Sequence, residues 1–211
     1  HRGEQGIRWE LPTLTKPYVA PRETKDELSG GHLLTQLQQH FSASSDLTLK
    51  LYFDRDNRES PVYGEHRSTY DLDLQHRFDL HPRLGVIWGG GYRRTEMQFV
   101  GSDHFSMLGE TSRDSRDLRS GFVQADLEAI PRRLRITGGV KLEHQDQLGL
   151  EAQPSTRFLW RIGPRQAVWG ALSRAVRTPS IAEQRADVWL RTVPPGDPLN
   201  PNPLPVAVVM E

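Results

Sequence analysis

The sequence predicts an all-β fold, an antiparallel up-and-down transmembrane β-barrel segment of about eight strands. Three observations lead there. Apolar and polar residues alternate with a period of two over stretches of roughly ten residues, the mark of strands with two different faces. The connections alternate between tight turns and longer polar loops. Aromatic residues stand at both ends of the apolar positions, where the two interfaces of a bilayer select amphipathic rings.

The first stretch runs from Leu33 to Phe41. Leu33, Leu34, Leu37 and Phe41 also fit one helical face, and the neighbouring stretches decide for strand. The second is the clearest, with Leu47, Leu49, Leu51 and Phe53 on one parity and Thr48, Lys50 and Asp54 on the other. Tyr70, Leu72, Leu74 and Phe78 repeat it against Asp71, Asp73, Gln75 and Arg77. Leu84, Val86, Trp88 and Tyr92 face away from Gly85, Gly89 and Gly91. Val123, Ala125, Leu127 and Ala129 then oppose Gln124, Asp126 and Glu128, and Leu134, Ile136, Val140 and Leu142 oppose Arg135, Thr137, Lys141 and Glu143. Two weaker stretches follow, Ala152 to Trp160 and Ala167 to Val176. A short helix is expected from Ser180 to Leu190, because Ser180 and Glu183 have capping-box spacing.

Ser42 to Asp46, Asp79 to Arg83, Ile130 to Arg133 and Arg161 to Arg165 read as tight turns. Arg55 to Arg67 and Arg94 to Asp117 read as long loops, and His144 to Gly149 as a shorter one on the same rim. Short turns on one rim and longer loops on the other is the arrangement of an outer-membrane barrel. On the apolar parity, Leu49, Leu72, Val86, Leu127 and Ile136 lie mid-strand and are expected to face lipid. Phe41, Phe78 and Trp160 precede tight turns while Phe53, Tyr70 and Tyr92 mark the other end, giving two aromatic girdles. Aromatic strand ends also occur in soluble β-sandwich cores, but a sandwich has no reason to sort its loops by length. The opposite parity carries Lys50, Asp71, Arg77, Glu128, Arg135 and Arg157: a lumen in a barrel, a solvated face in a soluble sheet. Gln39 and His76 are polar residues on the lipid parity, both near the tight-turn rim where that costs least.

Lys+Arg and Asp+Glu both number 27 and are interspersed, which argues against a nucleic-acid partner. No run of about 18 apolar residues exists, so a helical membrane protein is excluded. With Cys at zero there is no thiol chemistry or Cys-based zinc site. The 8 His fall in no His-x-x-x-His or His-Glu-x-x-His spacing, and no Gly-x-Ser-x-Gly or phosphate-loop pattern is present. No enzyme, metal or cofactor is expected. Gly89-Gly90-Gly91 reads as a strand thinned for close packing. Asp71 and Asp73 read as lumen or solvated carboxylates rather than a catalytic pair.

Several stretches resemble barrel segments of TonB-dependent outer-membrane receptors: Gly30-Gly31-His32-Leu33-Leu34, Leu49 to Arg55, Gly89-Gly90-Gly91-Tyr92-Arg93 and Gly121 to Ala125. The most specific are Gln153-Pro154-Ser155-Thr156-Arg157 and Val168 to Ser180. The resemblance covers roughly residue 7 to the end. It implies an internal portion of a barrel that in the family has about twenty-two strands, with the plug domain absent. It also implies outer-membrane lipid as surroundings, periplasmic TonB as a partner through the missing N-terminal part, and energised uptake of a scarce ligand, most often a ferric siderophore. Cobalamin or carbohydrate transport, a passive pore and a soluble β-sandwich binding module are the alternatives.

On this reading residues 1–31 form an extracellular loop leading into the sheet, 32–177 the eight strands, and 178–211 an extracellular loop with a proline-rich end. Asn200-Pro201-Asn202-Pro203-Leu204 is loosely similar to a box of haem-transporting receptors, but no His lies between Arg177 and Asn200, which favours a proline-stiffened loop. Within Arg94 to Asp117, Phe99, His104, Phe105 and Arg113 are the candidate ligand-binding residues, since aromatics mixed with Arg suit an anionic or catecholate-like chelate. An ordinary surface loop is the other reading of that stretch.

Overall fold

The computed structural model describes residues 1–107, 111–146, 149–177 and 186–210, and every regular element among them is a strand. They are β1 (Arg2–Pro12), β2 (Val19–Ser42), β3 (Ser45–Glu59), β4 (Gly64–His81), β5 (Leu84–Val100), β6 (Phe105–Met107), β7 (Thr111–Ile130), β8 (Leu134–Gln145), β9 (Gly149–Gly163), β10 (Gln166–Ser173), β11 (Ala186–Val193) and β12 (Val206–Met210). Nine form one sheet in the order β1-β2-β3-β4-β5-β7-β8-β9-β10, with every neighbour antiparallel; β12-β11-β6 form a second, three-stranded sheet. The large sheet is a meander and does not close. β1 reaches only to Ser29, so the stretch of β2 beyond Gly30 has a free edge among the described residues, as does β10.

Register fixes the two faces, because directly opposed residues in an antiparallel ladder point the same way. Leu37, Leu49, Leu74, Gly90, Gly121 and Leu142 form one continuous apolar row across the sheet. Leu51, Leu72 and Tyr92 form the next, and Leu84, Leu127, Ile136 and Phe158 another nearer the tight turns. Leu49, Leu72, Val86, Leu127 and Ile136 thus share one face, and Leu72, Leu127 and Ile136 are exposed on it. Toward the loops Phe53 opposes Tyr70, with ring centroids 5.1 Å apart. Toward the tight turns His76 sits among Phe41, Phe78 and Trp88 and shares a 3.0 Å hydrogen bond with Ser45, which is how this polar residue is accommodated on an apolar face. Trp160 lies opposite Leu134 and Val168 at the same rim.

All four tight-turn hairpins carry one extra residue on the strand entering the turn: Phe41, Leu80, Ala129 and Ile162. These bulge residues are exposed. Gly89 lies opposite Phe122, and a Cβ there would fall 2.6 Å from the Phe122 ring, so the glycine makes room for that ring on the polar face.

Several sequence expectations need correction. The stretch 1–31, expected as a loop, holds β1 and the first part of β2. The long loops expected at Arg55 to Arg67 and Arg94 to Asp117 are mostly strand, since β3 and β4 stay paired out to Glu59 and Gly64, and β5 and β7 out to Val100 and Thr111. A ladder that is polar on both faces shows no alternation, while its backbone hydrogen bonds remain satisfied by the neighbouring strand. The stretch 178–211, expected as a loop, contains β11 and β12. Of the helix expected at Ser180 to Leu190, residues 180–185 lie outside the described residues, and 186–190 are extended in β11, pairing with β12 and β6.

Candidate functional site

The polar face of the large sheet is an ion-paired wall. Asp46 accepts from Arg77 at 3.0 Å, Asp71 from Arg93 at 2.6 Å and Asp126 from Arg135 at 2.6 Å. Lys141 and Glu143 pair at 2.6 Å along one strand, and Gln153 donates to the same Glu143 carboxylate at 2.6 Å. The cross-strand bonds follow from strand geometry, which brings long side chains on facing or diagonal positions within reach. Asp71, Asp73, Arg93, Ser120, Lys141 and Glu143 border a polar cleft of about 200 Å³ midway along this wall. Among the described residues no group of His, Asp and Glu could hold a metal ion.

At the loop end the same face is covered. The small sheet lies over it, and the contact is an aromatic cluster: Phe99 stacks with Tyr63 at 5.6 Å and meets Phe105 edge-on at 5.4 Å, while Tyr63 and Phe105 are 5.5 Å apart. Val62 is buried beside them in the turn between β3 and β4. Arg58 lies 5.1 Å from the Tyr63 ring centre and forks onto Asp26 at 2.6 and 3.0 Å; Asp26 is 0% exposed. The hydrogen bonds Arg58 donates to Asp26 raise the pKa of Arg58, and burial pushes the Tyr63 phenol above its ordinary value. On the other flank His104 stacks on Trp189 at 5.2 Å, shares a 2.9 Å hydrogen bond with the Pro12 carbonyl, and accepts the Trp189 amide at its own carbonyl. The cap therefore joins β1, β5, β6, β11 and the β3–β4 turn.

The four residues expected to contact ligand do not form one site. Phe99 and Phe105 come together, with His104 adjacent in the chain. Phe99 is 1% exposed and packs within the cap. Arg113 pairs across β5 with Gln98 on the opposite face of the sheet and belongs to no cluster with the other three. The expectation missed Asp26, Arg58, Tyr63 and Trp189. Asp26 and Arg58 are 32 positions apart and fall in stretches without alternation, so no local spacing could have joined them.

The family model described as TonB dependent receptor-like, beta-barrel, matches residues 11–204. The chain belongs to that family. Among solved structures it is similar to the siderophore receptor PirA from Pseudomonas aeruginosa, with a TM-score of 0.58 and 18% identity over 74% of this chain. It spans 28% of the length of that receptor. No curated protein matches. The chain is thus part of a TonB-dependent receptor barrel of the outer membrane, and its open nine-stranded sheet is a portion of the barrel wall. A sandwich reading is set aside, because among the described residues no second large sheet packs against the first.

Proposed function

We propose that this wall segment serves energised uptake of a scarce ligand, a ferric siderophore. The observation that carries the reading is the pairing of a two-signed polar wall with an aromatic cap folded over that same face at the loop end. A cap on the polar side covers the mouth of the lumen, where a chelate arriving from outside would first meet protein. The siderophore receptor with the same fold supports the ligand class. On this reading the apolar face meets lipid through Leu49, Leu72, Val86, Leu127 and Ile136, and Phe41, Phe53, Tyr70, Phe78, Tyr92 and Trp160 lie at its two interfaces.

The test uses the intact receptor in cells that lack it. Growth under iron limitation on a panel of ferric siderophores should depend on the receptor and on TonB. Cobalamin-limited and maltodextrin-limited growth should not. A requirement confined to cobalamin or sugar would replace the ligand class, and uptake independent of TonB would make the barrel a passive pore.

A further inference from the structure

Of the three rings in the loop-end cluster, two belong to the wall. Tyr63 enters β4 and Phe99 ends β5, and their rings are nearly parallel, 15° apart. Phe105 comes from β6 and stands across both, tilted 51° to Tyr63 and 65° to Phe99. Its own support is slight. β6 has three residues, and a tight turn delivers Phe105, which exchanges backbone hydrogen bonds with Ser102 at 2.8 and 3.2 Å. The seat beneath it is complete without it: two stacked rings, buried Val62 beside them, and on the Tyr63 flank an Arg58 guanidinium fixed by Asp26. What holds Phe105 there is the attraction of a ring's edge to two π faces, which any aryl group of similar size shares.

The closed cap is also a poor partner for the face it covers. Register puts Trp9, Thr24 and Asp26 on the same face as Arg58. On that face Trp9 Nε1, Thr24 Oγ1 and Asp26 Oδ1 are buried without a hydrogen-bond partner, as is Thr192 Oγ1 in β11 of the cap. An unpaired buried polar atom costs free energy, so closure covers groups that it does not satisfy, and the aromatic contact has to offset that cost. A cover held by one inserted ring against unpaired polar atoms is open to displacement.

We propose that Phe105 is an internal occupant of a ligand seat: an aryl ring of the arriving chelate takes its place on Tyr63 and Phe99, and hydrogen-bonding groups of that ligand meet polar atoms the closed cap leaves unpaired. The cap thereby competes with the ligand and favours chelates with planar rings over those without. This rests on the siderophore-receptor reading and adds the ring chemistry of the ligand to it.

The test is hydrogen exchange and calorimetry on the detergent-solubilised intact receptor, with a ferric tris-catecholamide, which carries aryl rings, and a ferric trihydroxamate, which carries none. On the parent receptor the catecholamide should speed amide exchange in β11 by about tenfold or more, because it displaces the ring that docks the small sheet. The trihydroxamate should leave that exchange within about twofold. Phe105→Ala should bind the catecholamide about fivefold tighter, since the internal competitor is gone, and Tyr63→Ala about tenfold weaker, since half of the seat is gone. A Phe105 that only packs the cap gives the opposite signs: unchanged or weaker binding in Phe105→Ala, and unchanged or slower β11 exchange with the catecholamide. Either result overturns the proposal, and should Phe105→Ala not assemble, exchange on the parent decides. Acceleration by both chelates overturns the ring selectivity. Binding of the trihydroxamate alone keeps the siderophore reading and overturns the seat. If neither ferric probe binds, the siderophore reading fails, and iron-free salicylamide probes the seat by itself: faster β11 exchange supports it, and unchanged exchange overturns it.

Discussion

Phe99→Ala should release the loop-end cap without unfolding the wall beneath it. Phe99 is 1% exposed, and its ring meets Tyr63 and Phe105 at 5.6 and 5.4 Å. Truncating a buried phenylalanine costs about 3–5 kcal/mol, combining the lost transfer energy and the cavity left behind. The strand that carries it is hydrogen-bonded to β4 and β7 on both sides, so its backbone stays in place. The loss falls instead on the docking of the small sheet, whose β6 is three residues long. At 1.4 kcal/mol per factor of ten, the open population of the cap should rise by about two to three and a half orders of magnitude. Amide exchange across Val188 to Val193 in the intact receptor reads this, because β11 belongs to the small sheet that the cluster docks. Phe122→Ala, on the wall below, should leave β11 exchange unchanged. If β11 exchange in an assembled Phe99→Ala receptor matches the parent, the aromatic cluster does not hold the cap.

Arg in place of Leu72, in the apolar band, should destabilise the assembled barrel by about 2–4 kcal/mol in a folding titration into vesicles, whereas Asp73→Asn should cost much less; equal penalties would contradict the assignment of faces. Gly89→Val should impair assembly more than Gly138→Val, since the added Cβ meets the Phe122 ring at 2.6 Å in one case and nothing within 4 Å in the other; comparable heat-modified gel mobility for both would refute this. Arg67 donates to Asp56 at 2.8 Å and holds its carboxyl below the ordinary 3.8. The carboxylate's contribution is therefore fully present above that ordinary value and lost as pH falls through the depressed one. The pair is half-exposed, so the effect is at most about 1 kcal/mol, and Asp56→Asn should flatten the acid limb of a loop-unfolding profile.

The wall was legible where one face is apolar and the other polar. Leu47 to Asp54 could be placed on faces without a partner strand, because the two faces impose opposite demands on successive residues. From Arg55 onward the alternation stops, and only the partner β4 shows that the ladder continues. The cap was illegible for a related reason. Its Asp26–Arg58 pair and its Tyr63–Phe99 contact join stretches that looked like separate loops. Ser180 and Glu183 offered a local helix signal, but Ala186 to Val193 is decided by β12 and β6, which lie far away in the chain. The candidate ligand residues share one such loop and a suitable chemistry, and chemistry does not distinguish an aromatic ring offered to solvent from one that closes a core.

The bulges at Phe41, Leu80, Ala129 and Ile162 all sit on the same rim and always on the strand that enters the turn. Each inserts one unmatched residue and locally tightens the twist. Repeated around a rim, they act as darts sewn into one hem of a cloth: that hem draws in while the other stays wide, and the ribbon takes up the bend a closed ring requires. Curvature is thus built into each hairpin separately, so every hairpin contributes its own share of the bend.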